Sequence, residues 1–299
     1  MLVILAALTA SAVLCSALFL LVRKVRFERG QQRQRIFIHD QLSASASAAE
    51  RRVIVSLSTL PDRIANLQPT VECILGQTRP PDEIVLAIPS FSVRQQRGYV
   101  IPPFLKEVPT LRVLRIEKDW GPATKFIPAI QAELAAGRDD TCIVVLDDDR
   151  LYPDDAIETY LHWSAAMPDA ALCFRGARMP RSLDWRDAVM THGNLIREPQ
   201  EVAVITGCGS YLVQPRFFDA SLWDYSDAPE AAFYMDDIWI SGCLDRREVK
   251  KYVVPCSRRL RSVRAQARTM TLHDVPKGRQ PNNNSVIAFF REGWRVFAE

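Results

Sequence analysis

No two of the seven cysteines are spaced C-x-x-C. Cys15, Cys73, Cys142, Cys173, Cys208, Cys243 and Cys256 lie scattered and odd in number. That pattern argues against a zinc cluster or a disulfide framework and reads as reduced, buried thiols, with a single disulfide left open. A G-x-G-x-x-G following the first expected strand is missing, which disfavours a dinucleotide site, and G-x-x-x-x-G-K-[ST] is missing too. A strong charge of one sign is also missing: 38 Lys and Arg stand against 35 Asp and Glu, for a net +3. That is too little to imply nucleic acid binding, and no nucleic acid partner is expected. Internal repeats are absent. With 48% hydrophobic and 24% charged residues in 299, the composition is that of an ordinary globular chain with a large core.

One long apolar run is present. Leu2 to Val22 carries no charge and has the length of a bilayer-spanning helix. Arg23, Lys24, Arg26, Arg29, Arg33 and Arg35 follow it, whereas a cleaved signal would carry its charge in front. The expectation is a single-pass membrane anchor over 1–22 and a basic juxtamembrane linker over 23–52. The basic flank places the remainder in the cytoplasm. The opposite orientation, with a Golgi-lumenal domain, would fit the weak glycosylation sequon Asn283-Asn284-Ser285.

From residue 53 onward, strands and helices alternate. Strands are expected over 53–58, 83–88, 111–116 and 141–146, later over 171–175 and 202–206. Helices are expected over 61–76, within 121–136, from Pro153, and over 235–244. Short connections between them predict an α/β fold: one mostly parallel sheet with helices on both faces, spanning 53–299.

Asp147-Asp148-Asp149 ends the apolar strand Thr141 to Leu146. Adjacent carboxylates cannot continue inside a buried strand, so the triplet must emerge at a sheet edge, where α/β proteins bind ligands. Hard oxygens there suit Mg²⁺ or Mn²⁺ shared with a phosphorylated ligand. Capping or a solvated loop is the plainer alternative. Asp154 and Asp155 are explained by the first turn of a helix beginning at Pro153.

Other candidates are individually weaker. Gly207 and Gly209, in Thr206-Gly207-Cys208-Gly209-Ser210, would let backbone approach a sugar or phosphate, although a bulge or turn would serve. Asp236 and Asp237, between Met235 and Ile238-Trp239, could be helix-start acids, or carboxylates whose apolar setting makes them bases near neutral pH. Lys125 falls in a first helical turn, which does not favour a cation unless it faces an anion; otherwise it snorkels to water. His273 could bind metal, though a lone histidine is more often structural. Arg258, Arg259, Arg261, Arg264 and Arg268 form a basic stretch able to meet anionic lipid or a diphosphate, or a solvated face.

The order of these motifs resembles a GT-A-fold (Rossmann-like) glycosyltransferase, of family 2-like or exostosin-like type. The match is carried by Val55-Ser56-Leu57-Ser58-Thr59, the Asp triplet, Gly207-Cys208-Gly209 and Asp236-Asp237, over residues 53–274. The resemblance implies a nucleotide-sugar donor, Mn²⁺ or Mg²⁺, and a glycan or lipid-linked acceptor. Asp149 corresponds to the metal-ligating acid and Asp147 to the acid nearer the ribose or a metal-bound water, with Asp148 beside the donor. Ser58, Thr59 and Arg63 correspond to the loop bordering the base, Asp237 or Asp236 to the acid at the acceptor hydroxyl, and His273 to a further metal ligand. There is no Q-x-x-R-W element and no later membrane span, so a polymerising synthase is not expected. The same cation logic would serve a nucleotidyltransferase or sugar-phosphate transferase, or a non-catalytic sugar-nucleotide-binding module.

Overall fold

A computed structural model describes residues 2–43, 51–263 and 278–297, with backbone alone for 2–15, 279 and 280. His273, Arg264 and Arg268 lie outside the described residues. In chain order the elements are α1 (Leu2–Ser43), β1 (Val53–Leu57), α2 (Gln68–Leu75), β2 (Glu83–Pro89), β3 (Leu111–Ile116), α3 (Ile127–Ala135), β4 (Cys142–Leu146), β5 (Arg150–Leu151), α4 (Ala156–Ala166), β6 (Ala170–Cys173), β7 (Arg175–Arg178), β8 (Val189–His192), β9 (Gln200–Glu201), β10 (Val204–Ile205), β11 (Tyr211–Val213), α5 (Asp236–Arg246), β12 (Lys250–Val253), β13 (Arg261–Ser262) and α6 (Arg279–Phe289).

The fold is mixed α/β and Rossmann-like. Its main sheet runs β3-β2-β1-β4-β11-β6-β12-β9, with small sheets β10-β7-β8 and β13-β5 beside it. β1 pairs in parallel with β2 and β4, and β2 with β3. β1 and β4 are fully buried and apolar but for Ser56, whose hydroxyl donates to Lys125 O at 2.7 Å, as strands covered on both faces must be. Alternation divides them between two cores. Val53, Val55 and Leu57 face α2 and α4, while Ile54, Ile143 and Val145 face α3 and α5. β11 breaks the parallel rule by running antiparallel to both β4 and β6.

Two expected helices are divided at prolines. Pro69 opens α2 after a short 3₁₀ turn at Ile64–Asn66, and Pro128 opens α3 after another at Gly121–Lys125. Proline lacks the N–H an interior turn needs, so the helix restarts there. α4 begins at Ala156 rather than Pro153, which corrects the explanation of two acids. Asp155 instead accepts a 2.7 Å bond from Ser257 Oγ, and Asp154 lies 3.5 Å from Arg35 and 3.6 Å from Arg258.

Part of the expected linker lies within α1. α1 continues through Ser43, and Ile38 and Gln34 are buried against the domain. Gln34 donates to Ile196 O at 3.0 Å, and Gln31 Oε1 accepts from the Arg259 N–H at 3.1 Å. Among the described residues no helix is long and apolar enough to cross a membrane, so the anchor expected over 1–22 gains no support. Asn283 lies buried in α6, out of reach of a glycosylating enzyme in the folded chain. None of the six described cysteines is in a disulfide.

Candidate active site at the carboxyl edge of the sheet

Four segments converge on one cavity of about 640 Å³. β1 delivers Ser58 and Thr59, and β4 delivers the Asp triplet. Because β11 is antiparallel, the turn before it, Gly207–Gly209, reaches the same edge. The first turn of α5 brings Asp236 and Asp237.

The three triplet carboxylates have different surroundings. Asp148 is buried, accepts 2.6 Å from Thr59 Oγ1 and lies 3.1 Å from Arg63. Burial pushes its pKa up to about 6 in spite of Arg63 and Thr59, which favour the charged form. Asp148 therefore organises the loop after β1 while still lining the cavity. Asp149 is half-open, with Arg150 at 3.4 Å and Arg63 at 3.8 Å, and its pKa is raised by burial and by Asp147. Its carbonyl accepts from the Val263 N–H at 2.8 Å. Asp147 lies 2.7 Å from Lys125 Nζ.

Lys125 is 7% exposed, so it neither snorkels to water nor stands free to grip an anion. Its ammonium also lies 2.8 Å from Asp236. Burial alone would lower its pKa, but Asp147, Asp236 and Asp237 together hold it well above the usual lysine value. The 3₁₀ turn that carries Lys125 points it inward, a geometry that helical spacing does not reveal.

Asp236 is buried, while Asp237 is half-open to the cavity. Asp237 Oδ1 accepts from the Gly207 N–H at 2.8 Å. Burial and the neighbouring Asp236 raise the Asp237 pKa to about 7, against the opposing pull of Lys125. The glycines make room for protein neighbours. A Cβ on Gly207 would fall 2.3 Å from Lys125 Nζ, and one on Gly209 would fall 2.4 Å from Arg175 Cβ. The turn thus passes between the two without bulk, which accounts for both glycines before any ligand is considered.

Among the described residues no cluster of three or more His, Cys, Asp or Glu side chains forms a ready-made metal cage. The donor set still fits a hard divalent cation that draws most of its ligands from substrate phosphates and water. Asp149 and the oxygen of Asp147 turned away from Lys125 would hold it.

Several cavity residues escaped sequence reasoning: Arg94, Tyr99, Asp119, Arg175, His192 and Asn194. Tyr99 OH donates to Thr59 O at 2.9 Å, bracing the same loop. They sit in irregular connections or on strands of four residues, where no periodicity marks them.

Neither a protein-family model nor a curated sequence matches the chain. A solved structure it resembles is the crystal structure of 4-diphosphocytidyl-2C-methyl-D-erythritol synthase. The two are 13% identical, with a TM-score of 0.42 over 69% of this chain and 89% of that one. A likeness this loose carries no argument about activity.

Proposed function

We propose that the chain is a metal-assisted transferase of GT-A type, moving a sugar from a nucleoside-diphosphate sugar to a hydroxyl of a glycan or lipid-linked acceptor. One observation carries this reading: Asp237, with a pKa near 7, faces the same cavity as the half-open Asp149. A hydroxyl acceptor needs a base poised near neutral pH, whereas a phosphate nucleophile is already anionic and needs none.

In the reaction, Asp237 takes the acceptor O–H proton. The acceptor oxygen bonds to the anomeric carbon as the bond from that carbon to the diphosphate oxygen breaks, and the nucleoside diphosphate leaves. A divalent cation, when bound at Asp149 and Asp147, offsets charge on the diphosphate. Thr59, Arg63 and Ser58 shape the end of the cavity that takes the nucleotide. The Gly207 N–H holds Asp237 in place, and Lys125, within ion-pair distance of both Asp147 and Asp236, holds those two side chains in position.

A second reading, nucleotidyl transfer, is favoured by the arginines lining the cavity, Arg63, Arg94, Arg150, Arg175 and Arg259, which could hold two anionic substrates. A screen of sugar nucleotides with Mn²⁺ or Mg²⁺ separates the two. Glycosyl transfer or slow hydrolysis releases nucleoside diphosphate. Release of pyrophosphate from a nucleoside triphosphate supports the second reading, and no metal-dependent turnover or binding of either substrate defeats both.

A further inference from the structure

The cavity has a second end that the proposed reaction leaves unused. β6 ends at Cys173, and Arg175 opens β7 directly opposite His192 on β8. Opposite partners on one face of an antiparallel pair stand about 5 Å apart at Cβ. Arg259 joins them from the segment before β13, and Asn194 from the turn after β8, and all four line the cavity. Burial, Arg175 and Arg259 all push the His192 pKa down, so these groups share one neighbourhood.

Among the described residues neither Arg175 nor Arg259 has a carboxylate within ion-pair distance, although Arg258, next in sequence, is 3.6 Å from Asp154. Arg175 is instead held by neutral groups, Cys208 Sγ at 2.8 Å and Thr206 Oγ1 at 3.4 Å. A fixed guanidinium with no anion of its own, beside a second one and an imidazole in a concave wall, is an arrangement that recognises phosphate or carboxylate.

This end is distinct from the diphosphate end. Along the main sheet, β11 separates β4, which carries the Asp triplet, from β6, which leads to Arg175. Two strand spacings amount to about 10 Å. The Gly207–Gly209 turn passes between the two ends and carries the backbone N–H that holds Asp237. The base is therefore held by the turn that parts the two ends, where an acceptor hydroxyl would meet the donor.

We propose that Arg175, His192, Asn194 and Arg259 form an anion subsite for a phosphate or carboxylate carried by the acceptor, separate from the site of the donor diphosphate. The assignment to the acceptor rests on the transferase reading above; the anion site itself does not.

The test is a titration of the full-length chain with inorganic phosphate, following the His192 imidazole resonance by NMR, assigned with His192→Gln. A saturable shift of that resonance is expected. Arg175→Gln and Arg259→Gln should each weaken it about tenfold, the loss of one charge-assisted contact. Arg63→Gln, at the diphosphate end, should leave it within about twofold. Arg259 is exposed, so its variant folds even if Arg175→Gln does not. Adding a nucleoside diphosphate with Mg²⁺ should leave phosphate bound. The subsite is overturned if the His192 resonance shows no saturable response, or if Arg63→Gln abolishes it while Arg259→Gln does not. Displacement of phosphate by the nucleoside diphosphate would assign the anion to the donor and overturn the acceptor role. A chain that binds no sugar nucleotide yet keeps the His192 response would remove the transferase reading and leave the anion site standing.

Discussion

Lys125 Nζ lies 2.8 Å from Asp236 Oδ2, a buried ion pair that joins the turn after β3 to the first turn of α5. The same ammonium is 2.7 Å from Asp147, so one cation couples the two acidic motifs of the site. Removing it leaves three carboxylates facing one another without offset. Lys125→Met is expected to cost about 3–5 kcal/mol, read from the denaturant midpoint. A loss below about 1 kcal/mol would mean that the ammonium is not the strut between the two motifs.

Activity should rise with pH through about 7, where Asp237 loses its proton and becomes able to accept one. Measured as kcat/KM, the acid limb should follow a single ionisation. Asp237→Asn should abolish that limb and lower turnover on the order of 10²–10⁴-fold. A flat profile across this range would remove Asp237 as the base.

The same carboxyl makes an opposite prediction for stability. Its folded pKa, about 7, is above the ordinary aspartate value, so the native chain binds the proton more tightly than the unfolded one. Its contribution is present at low pH and is lost as pH rises from roughly 4 through 7. Asp237→Asn, which can still accept from Gly207, should therefore gain stability relative to the parent across that window, by at least about 1 kcal/mol above pH 7. Thermal unfolding at pH 4 and at pH 8 checks the sign, and an equal difference at both would contradict it.

Asp149→Asn should weaken Mn²⁺ binding at least about tenfold in the presence of a nucleoside diphosphate, followed by electron paramagnetic resonance of free Mn²⁺. Asp148→Asn should act mainly through the loop after β1, where Thr59 and Arg63 lose their carboxylate partner. Equal effects of the two substitutions on Mn²⁺ would argue against Asp149 as the ligand.

Gly209→Ala would set a methyl 2.4 Å from Arg175 Cβ and 2.7 Å from its backbone nitrogen. Backbone cannot swing aside as a flexible side chain can, so a loss of about 1–3 kcal/mol is expected, read by thermal unfolding. Gly137→Ala, where a Cβ meets nothing within 4 Å, serves as the control for space but carries its own strain from φ +68°.

Most of the alternating frame was legible from residues alone. β3 lies where it was expected, an alternating strand with none of its residues fully buried, and β1, β2 and β4 differ from expectation by a residue, because their buried apolar runs with turn signals on each side leave little choice of register. The convergence of the Asp triplet with Asp236 and Asp237 was anticipated as well. That Lys125 faces anions was one of the readings offered, but that those anions are Asp147 and Asp236 was not, since a 3₁₀ segment does not follow helical spacing. Nor was the start of α4, where Pro153 suggested a first turn that Asp155 does not cap through its side chain. β7, β8 and β11 are too short to carry a period, and their positions are set by pairings distant in sequence. Arg175 and His192 escaped for that reason: neither stands in a motif, and only the pairing of β7 with β8 brings them together.

The reversed direction of β11 has a consequence for where this chain can tolerate growth. At β1 and β4 the cavity rim is made by residues that follow the strand, whereas at β11 it is made by residues that precede it. Residues inserted just before Tyr211 would enter the space between Asp237 and Arg175. The same residues inserted after Val213 would emerge at the opposite edge, where Arg216 N–H donates to Asp139 O, and leave the cavity untouched. Two insertion points three residues apart along the chain are thus expected to differ entirely in their effect on ligand binding.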